Sequence, residues 1–205
     1  MENDSKLFVI AAPSGTGKTT LVQTLLKRNP NLCFSISYTT RKRRDNESNG
    51  KDYIFVDTGE FQKLRDNNQF LESAVVFDNY YGTSRVQINK KLSKGKNMLL
   101  EIDWQGAQQV KQSMPGSILI FIFPPSLEEL EKRLRNRKTE TDIIIEKRLK
   151  SALKDMSHWE EFDYCIINDD LDKTVEELEC IFSNEGWKNK TDNDFLRKSI
   201  RNILV

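Results

Sequence analysis

The stretch Leu7–Thr20, LFVIAAPSGTGKTT, sets the reading of the rest of the chain. Leu7 to Ala12 is an unbroken apolar run with β-branched and aromatic members, which predicts a strand buried on both faces. Ala12, Pro13, Ser14, Gly15, Thr16, Gly17, Lys18 and Thr19 follow the pattern G-x-x-x-x-G-K-[ST] except at its first position, where alanine replaces glycine. That departure is benign, because a residue before proline is driven to extended backbone, where a Cβ is tolerated. Glycine matters more at 15 and 17. There it lets successive N–H groups wrap a phosphate while the next helix turns its positive end to the anion. Lys18 is then placed for the β and γ phosphates of ATP, and the Thr19 hydroxyl for Mg²⁺. The plainer alternative is a glycine-rich turn between strand and helix. The order strand, loop, G-K-T and amphipathic helix (Leu21, Val22, Leu25, Leu26) favours phosphate binding.

A chain of 205 residues is one large domain, or one core with an inserted subdomain. Its 32 basic and 31 acidic residues leave a net charge of +1, which gives no global case for nucleic acid or a membrane surface. Cys33, Cys165 and Cys180 are odd in number and show no C-x-x-C spacing. They argue against a disulfide framework or a zinc site and predict a reducing, cytoplasmic setting. The acidic start and apolar runs of only strand length predict neither a signal peptide nor a membrane span.

Beyond the loop, the pattern predicts a helix over 18–28 that stops at Asn29-Pro30, then a strand over 33–38. Four cations follow within Arg41-Lys42-Arg43-Arg44, in a polar loop that runs to Tyr53. Such a run is ordinarily a solvated face; arginines at the end of a strand next to a P-loop strand can instead hold a second phosphate. From 53 to 93 the elements shorten: strands over 53–56 and 70–77, a helix capped by Asp57, a turn and short strand over 78–83, and a helix capped by Ser84. They predict a small antiparallel lobe inserted in a parallel α/β core. The core resumes with a strand over 97–103 ending in carboxylates, a helix over 105–112, a buried strand over 117–123 and a helix capped by Ser126 that ends in Arg133-Leu134-Arg135-Asn136-Arg137. Arginines at a helix C-terminus also have a structural reading, as complements of its dipole. A helix over 146–158, a strand over 164–168 and a helix over 171–184 precede a polar tail, 187–205, with weak helical periodicity.

The run T-T-R-x-x-R-x-x-E-x-x-G-x-x-Y, carried by Thr39, Thr40, Arg41, Arg44, Glu47, Gly50 and Tyr53, resembles the signature of the guanylate kinase family. Asn79 to Ser84, Ile102 to Gly106, the arginine-rich segment and Asn168-Asp169-Asp170 extend the resemblance over about 7–181. It implies an α/β fold: a P-loop NTPase core, 1–36 and 94–205, whose parallel sheet is flanked by helices, with a small mixed α/β lobe over 37–93 and a mobile lid over about 133–142. It implies transfer of the γ-phosphoryl group of ATP to GMP and dGMP, with Mg²⁺ as cofactor. By the same likeness Arg41, Arg44, Tyr53 and Tyr81 hold the GMP phosphate, while Ser37, Glu72, Thr83 and Asp103 contact guanine. Guanine presents donors at N1 and N2 beside an acceptor at O6, so carboxylates suit one edge and hydroxyls the other. Lys18, Arg41, Arg133, Arg137 and Arg148 are the cations expected on the moving charge, with Arg135 a weaker candidate. Glu101 departs from the family's usual aspartate, which bears on the metal contact. ATP and GMP are the expected partners, with no nucleic acid and no membrane; oligomeric state is left open.

Two readings of another kind remain. A guanylate-kinase-like interaction module would bind protein without chemistry, but such modules lose the phosphate machinery that Lys18, Thr19 and Arg41 keep here. Another P-loop enzyme, a GTPase or a kinase for a different nucleotide, is the second; the kinase alternative is opposed by Glu72 and Asp103 in a guanine-reading arrangement.

Overall fold

A computed structural model describes residues 5–76, 78–136 and 141–204. Arg137, and with it part of the expected lid, lies outside the described residues.

The apolar run forms β1 (Leu7–Ala11), every residue of it buried. Helix α1 (Lys18–Arg28) follows the glycine loop without a side-chain cap and ends at Asn29 with Lys27 and Arg28 in its last turn. The strand expected over 33–38 is instead two pieces, β2 (Leu32–Phe34) and β3 (Tyr38–Thr39), which belong to different sheets. The break falls at Ser35 to Ser37, where the chain leaves one ladder for the other: Ser35 N–H still bonds the Leu99 carbonyl, and the Ser37 carbonyl already accepts from Ile54. Next come β4 (Ile54–Phe55), α2 (Thr58–Asp66), β5 (Phe70–Val76), β6 (Asn79–Ser84) and α3 (Arg85–Leu92). The caps read from sequence are formed: Asp57 accepts from Glu60 N–H, and Ser84 from Gln87 N–H. Then β7 (Asn97–Glu101), α4 (Trp104–Ser113), β8 (Ile118–Phe123) and α5 (Leu127–Arg135) follow, with Ser126 capping α5. The chain continues through α6 (Asp142–Met156), β9 (Tyr164–Ile167), α7 (Leu171–Phe182) and α8 (Asp194–Ile203). Helix α6 begins four residues before the sequence reading, at the acidic first-turn residue Asp142.

The larger sheet has the strand order β2-β7-β1-β8-β9, and the smaller β4-β3-β6-β5. Pairs β1–β8, β8–β9 and β2–β7 are parallel, as strands linked through helices must be. The smaller sheet is mixed rather than purely antiparallel. β6 runs against β3 and β5, but β3 and β4 are parallel, because the long polar loop after β3 returns the chain in the same direction.

The chain divides into two compact units. One comprises Phe8–Pro30, Glu101–Trp104 and Ile118–Val205. Its core is built on Leu119 to Phe123, all fully buried, with the Phe121 ring edge-on to Phe162 at 5.0 Å and Phe8 against Phe182 at 4.2 Å. The tail is not the weak segment its polarity suggested. Asn193 caps α8, Ile200 is fully buried, and Thr191 N–H bonds the Asp163 carbonyl. Leu196, Ile200 and Ile203 stand at helical spacing on α8, and Ile200 and Ile203 are buried. The other unit comprises Met1–Leu7, Asn31–Leu100 and Gln105–Ser117. Its interior is aromatic: Phe61 lies 4.6 Å from Phe70 and 5.3 Å from Tyr80.

Candidate functional site

In the first unit the loop between β1 and α1 is shaped by two glycines. Gly15 and Gly17 have φ of 97° and 94°, a left-handed backbone that L side chains rarely adopt. Space is tight as well: a Cβ on Gly15 would sit 3.0 Å from Leu130 and Leu134 of α5, which would have to give way. Pro13 and Thr16 are buried, and the Thr16 hydroxyl donates to the Pro13 carbonyl at 3.0 Å, closing the loop on itself. The Thr16 carbonyl accepts from Asn168 Nδ2 at 2.8 Å and from Arg133 Nη1 at 3.2 Å. With the Thr16 carbonyl drawn to these donors, the loop can turn N–H groups to an anion. Ser14 is exposed and its hydroxyl accepts from Arg148 Nη1 at 3.1 Å. Thus Arg133 and Arg148, far apart in sequence, both reach the loop that carries Lys18.

Lys18, half-buried, donates from Nζ to the Ile102 carbonyl at 3.4 Å. The Thr19 hydroxyl donates to Glu101 Oε1 at 3.3 Å, so the longer carboxylate still reaches the position where a cation would meet the loop. Asp103 follows two residues on, partly exposed. Facing it from α6 is Asp155, a half-buried carboxyl that sequence reading passed over. Burial, then the like charge of Asp103, push the Asp155 pKa up to about 6, against the pull of Lys18. Arg135 is engaged elsewhere, paired to Glu131 at 2.8 Å and Asp142 at 2.5 Å.

The raised Asp155 pKa has a consequence for stability. The folded protein keeps this proton to higher pH than the unfolded chain does. Its stabilising contribution is therefore full below the ordinary aspartate range and is lost as pH rises through about 6. Asp155→Asn, which mimics the neutral form, should gain about 1–2 kcal/mol over the native protein between pH 4 and pH 7, after discounting for the group's partial exposure. Urea unfolding at both pH values measures this; a difference independent of pH would refute it.

In the second unit the loop after β3 folds around Glu47. One carboxylate oxygen accepts from Arg41 Nη2 at 2.7 Å and the other from Arg44 N–H at 2.9 Å. Arg41 also donates to the Tyr81 hydroxyl and to the Lys42 carbonyl. Its guanidinium lies 5.3 Å from the centre of the Tyr53 ring, which meets Tyr81 edge-on at 5.9 Å. The pairing holds the Glu47 carboxyl below the usual carboxylate range and raises the Arg41 pKa. Arg41, Tyr53 and Tyr81 are therefore one assembled cluster, while the Arg44 side chain is exposed at its edge. Glu47 was present in the sequence pattern without a role; its spacing from Arg41 was the available signal.

The same unit buries a carboxylate. Glu72 on β5 is 4 % exposed, and the fully buried Thr83 on β6 donates to it at 2.6 Å. The register pairs these two residues directly across the strands, so hydroxyl and carboxylate share one face. Ser37 stands partly exposed before β3. Burying a carboxylate is costly unless donors meet it, and Thr83 is one such donor.

Asn168 is the other residue that sequence reading left without work. It sits just past β9 and caps the Thr16 carbonyl, while Thr174 donates to its own oxygen at 3.1 Å. That explains why an asparagine belongs there.

Comparison with known proteins gives a consistent result. The family model described as Guanylate kinase matches residues 4–185. A guanylate kinase of Aromatoleum aromaticum is 51 % identical over 199 residues, which cover 94 % of this chain and 98 % of that protein. A guanylate kinase of Pseudomonas fluorescens is 48 % identical over 97 % of this chain and 96 % of its own. The crystal structure of guanylate kinase from Anaplasma phagocytophilum superposes with a TM-score of 0.74 at 38 % identity, covering 90 % of this chain and 87 % of that one.

Proposed function

The chain belongs to the guanylate kinase family, and from that membership we propose how its residues divide the work. It is a nucleoside monophosphate kinase, an ATP:GMP phosphotransferase that forms ADP and GDP in purine nucleotide metabolism. The observation that carries the assignment is the pairing of two chemistries in one chain: a glycine loop with Lys18 for ATP, and an arginine and tyrosine cluster beside a buried carboxylate for GMP.

Ala12 to Thr19 cradle the ATP phosphates through backbone N–H groups, and Lys18 follows the charge that develops on the transferring group. Arg41, Arg44, Tyr53 and Tyr81 hold the GMP phosphate; Glu47 keeps Arg41 extended for it. Glu72, Thr83, Ser37 and Asp103 read guanine. Arg133, Arg137 and Arg148 add positive charge on the ATP side. Phosphoryl transfer asks little covalent chemistry of the protein, so positioning and charge are the whole of its task. Mg²⁺ bound to ATP would neutralise phosphate charge, held by the Thr19 hydroxyl with Glu101 behind it. The donor set suits that ion. Among the described residues no group of three or more His, Cys, Asp or Glu could hold a metal.

The division into a core, a lobe over 37–93 and a lid over 133–142 belongs to the same proposal. It requires closure around both substrates, and a scattering profile unchanged by GMP with a non-hydrolysable ATP analogue counts against it. A cytoplasmic location, which the three free cysteines favour, belongs to the proposal too, and cell fractionation checks it. Among the described residues no helix is long and apolar enough to cross a membrane.

A coupled assay of ADP release, with GMP, AMP, CMP, UMP and TMP each offered as acceptor, tests the function. Strong GMP-dependent release that needs Mg²⁺ is expected. Release no greater than the acceptor-free control would leave the interaction-module reading standing.

A further inference from the structure

Asp103 lies between two anchors. On one side Ile102 gives its carbonyl to Lys18 at 3.4 Å and its N–H to the Ile10 carbonyl at 3.2 Å. On the other side is Trp104, which is held from two directions. Its indole N–H donates to the Asp155 carboxyl on α6, and its ring is stacked on His158, centroid to centroid 3.4 Å with only 9° between the planes. Aromatic pairs ordinarily avoid such a face-to-face arrangement, since two electron-rich faces repel. Here the imidazole is held in place: Nδ1 of His158 lies 2.7 Å from Glu161 Oε1, which fixes the ring against the indole. A flat ring at position 158 therefore backs the indole of Trp104 from one side.

We infer that Trp104, gripped by Asp155 and His158, is a positioning residue that fixes the carboxylate of Asp103 for guanine. The inference rests on the reading of Asp103 as a base contact and adds a specificity device to it. With the backbone anchored at 102 and the indole anchored at 104, Asp103 has little freedom to turn from the base edge. A hydrogen bond to a substrate edge depends on placement within about half an ångström, and support of this kind supplies it. Asp155 lies on α6, the helix whose Arg148 reaches Ser14 of the ATP loop, so one helix holds both the indole and an arginine at that loop.

The experiment is steady-state kinetics of His158→Ala and His158→Phe, with KM measured separately for GMP and ATP and a thermal melt of each. His158→Ala removes the stack and should raise KM for GMP about tenfold, with kcat and KM for ATP within about twofold of native. His158→Phe keeps a flat ring and should recover most of that loss. Trp104→Phe, which loses only the indole N–H and part of the stack, provides the second variant and should give a smaller rise of the same kind. An unchanged KM for GMP in folded His158→Ala and Trp104→Phe overturns the inference. So does a loss shared equally by both substrates with a lowered melting temperature, since that is ordinary destabilisation. If the native protein itself shows no GMP-dependent ADP release, the functional reading fails, an outcome distinct from failure of the grip alone.

Discussion

Lys18→Ala will lower the turnover number by about three to four powers of ten while the protein stays folded. Two observations set that expectation. The side chain is held by a long hydrogen bond to a neutral carbonyl, Ile102 at 3.4 Å, so it can move onto a phosphate at small cost. The packing of α1 rests on Leu21, Val22 and Leu25, none of which the substitution touches. A primary ammonium aimed at the transferring group acts in the transition state more than in the bound ground state, so kcat should carry most of the loss. Arg133 and Arg148 approach the same loop, but through Thr16 and Ser14, and a guanidinium held there does not replace an ammonium at position 18. Rapid-quench and steady-state rates, with a thermal melt as control, measure the effect. An unchanged turnover number would remove Lys18 from the chemistry.

What the chain discloses from its sequence divides along physical lines. The P-loop, its strand and its helix were legible because each is a local device: an apolar run, glycines at forced positions, a helix with regular apolar spacing. Caps at Asp57, Ser84 and Ser126 were legible for the same reason. The division of 33–38 between two sheets was not, since the choice of ladder is made by partners distant in sequence, Leu99 for one and Ile54 for the other. Helix α8 was missed because its burial depends on two isoleucines meeting a surface made elsewhere. At the site, the charged and glycine residues announced themselves by pattern. Asn168, Asp155 and His158 did not, because their partners Thr16, Asp103 and Trp104 lie more than 50 residues away and no short motif links them.

Glu72→Gln will reduce kcat/KM for GMP about a hundredfold to a thousandfold and weaken rejection of AMP, with affinity for ATP nearly unchanged. Thr83 already donates to one carboxylate oxygen at 2.6 Å, in a position where neither side chain meets water. A glutamine there must turn its carbonyl oxygen to Thr83 and its amide nitrogen to the base. Guanine presents N1–H and N2–H at that edge, so donors would face donors, and two charge-assisted bonds would be lost together. Adenine, which offers the lone pair of N1 instead, would gain a donor where it formerly met negative charge. The native discrimination between the bases, expected to be of the order of 10⁴ or more for a site built to bond a polar edge, should therefore shrink from both directions. The ATP loop sits in the other compact unit and shares no residue with this pair, which is why its affinity should hold. Competition of GMP and AMP in the ADP-release assay, with ATP binding measured by titration, separates these effects. Were Glu72→Gln to keep full efficiency on GMP and full rejection of AMP, guanine would have to be read by Asp103, Ser37 and Thr83 without it, and the buried carboxylate would be a structural partner of Thr83 only.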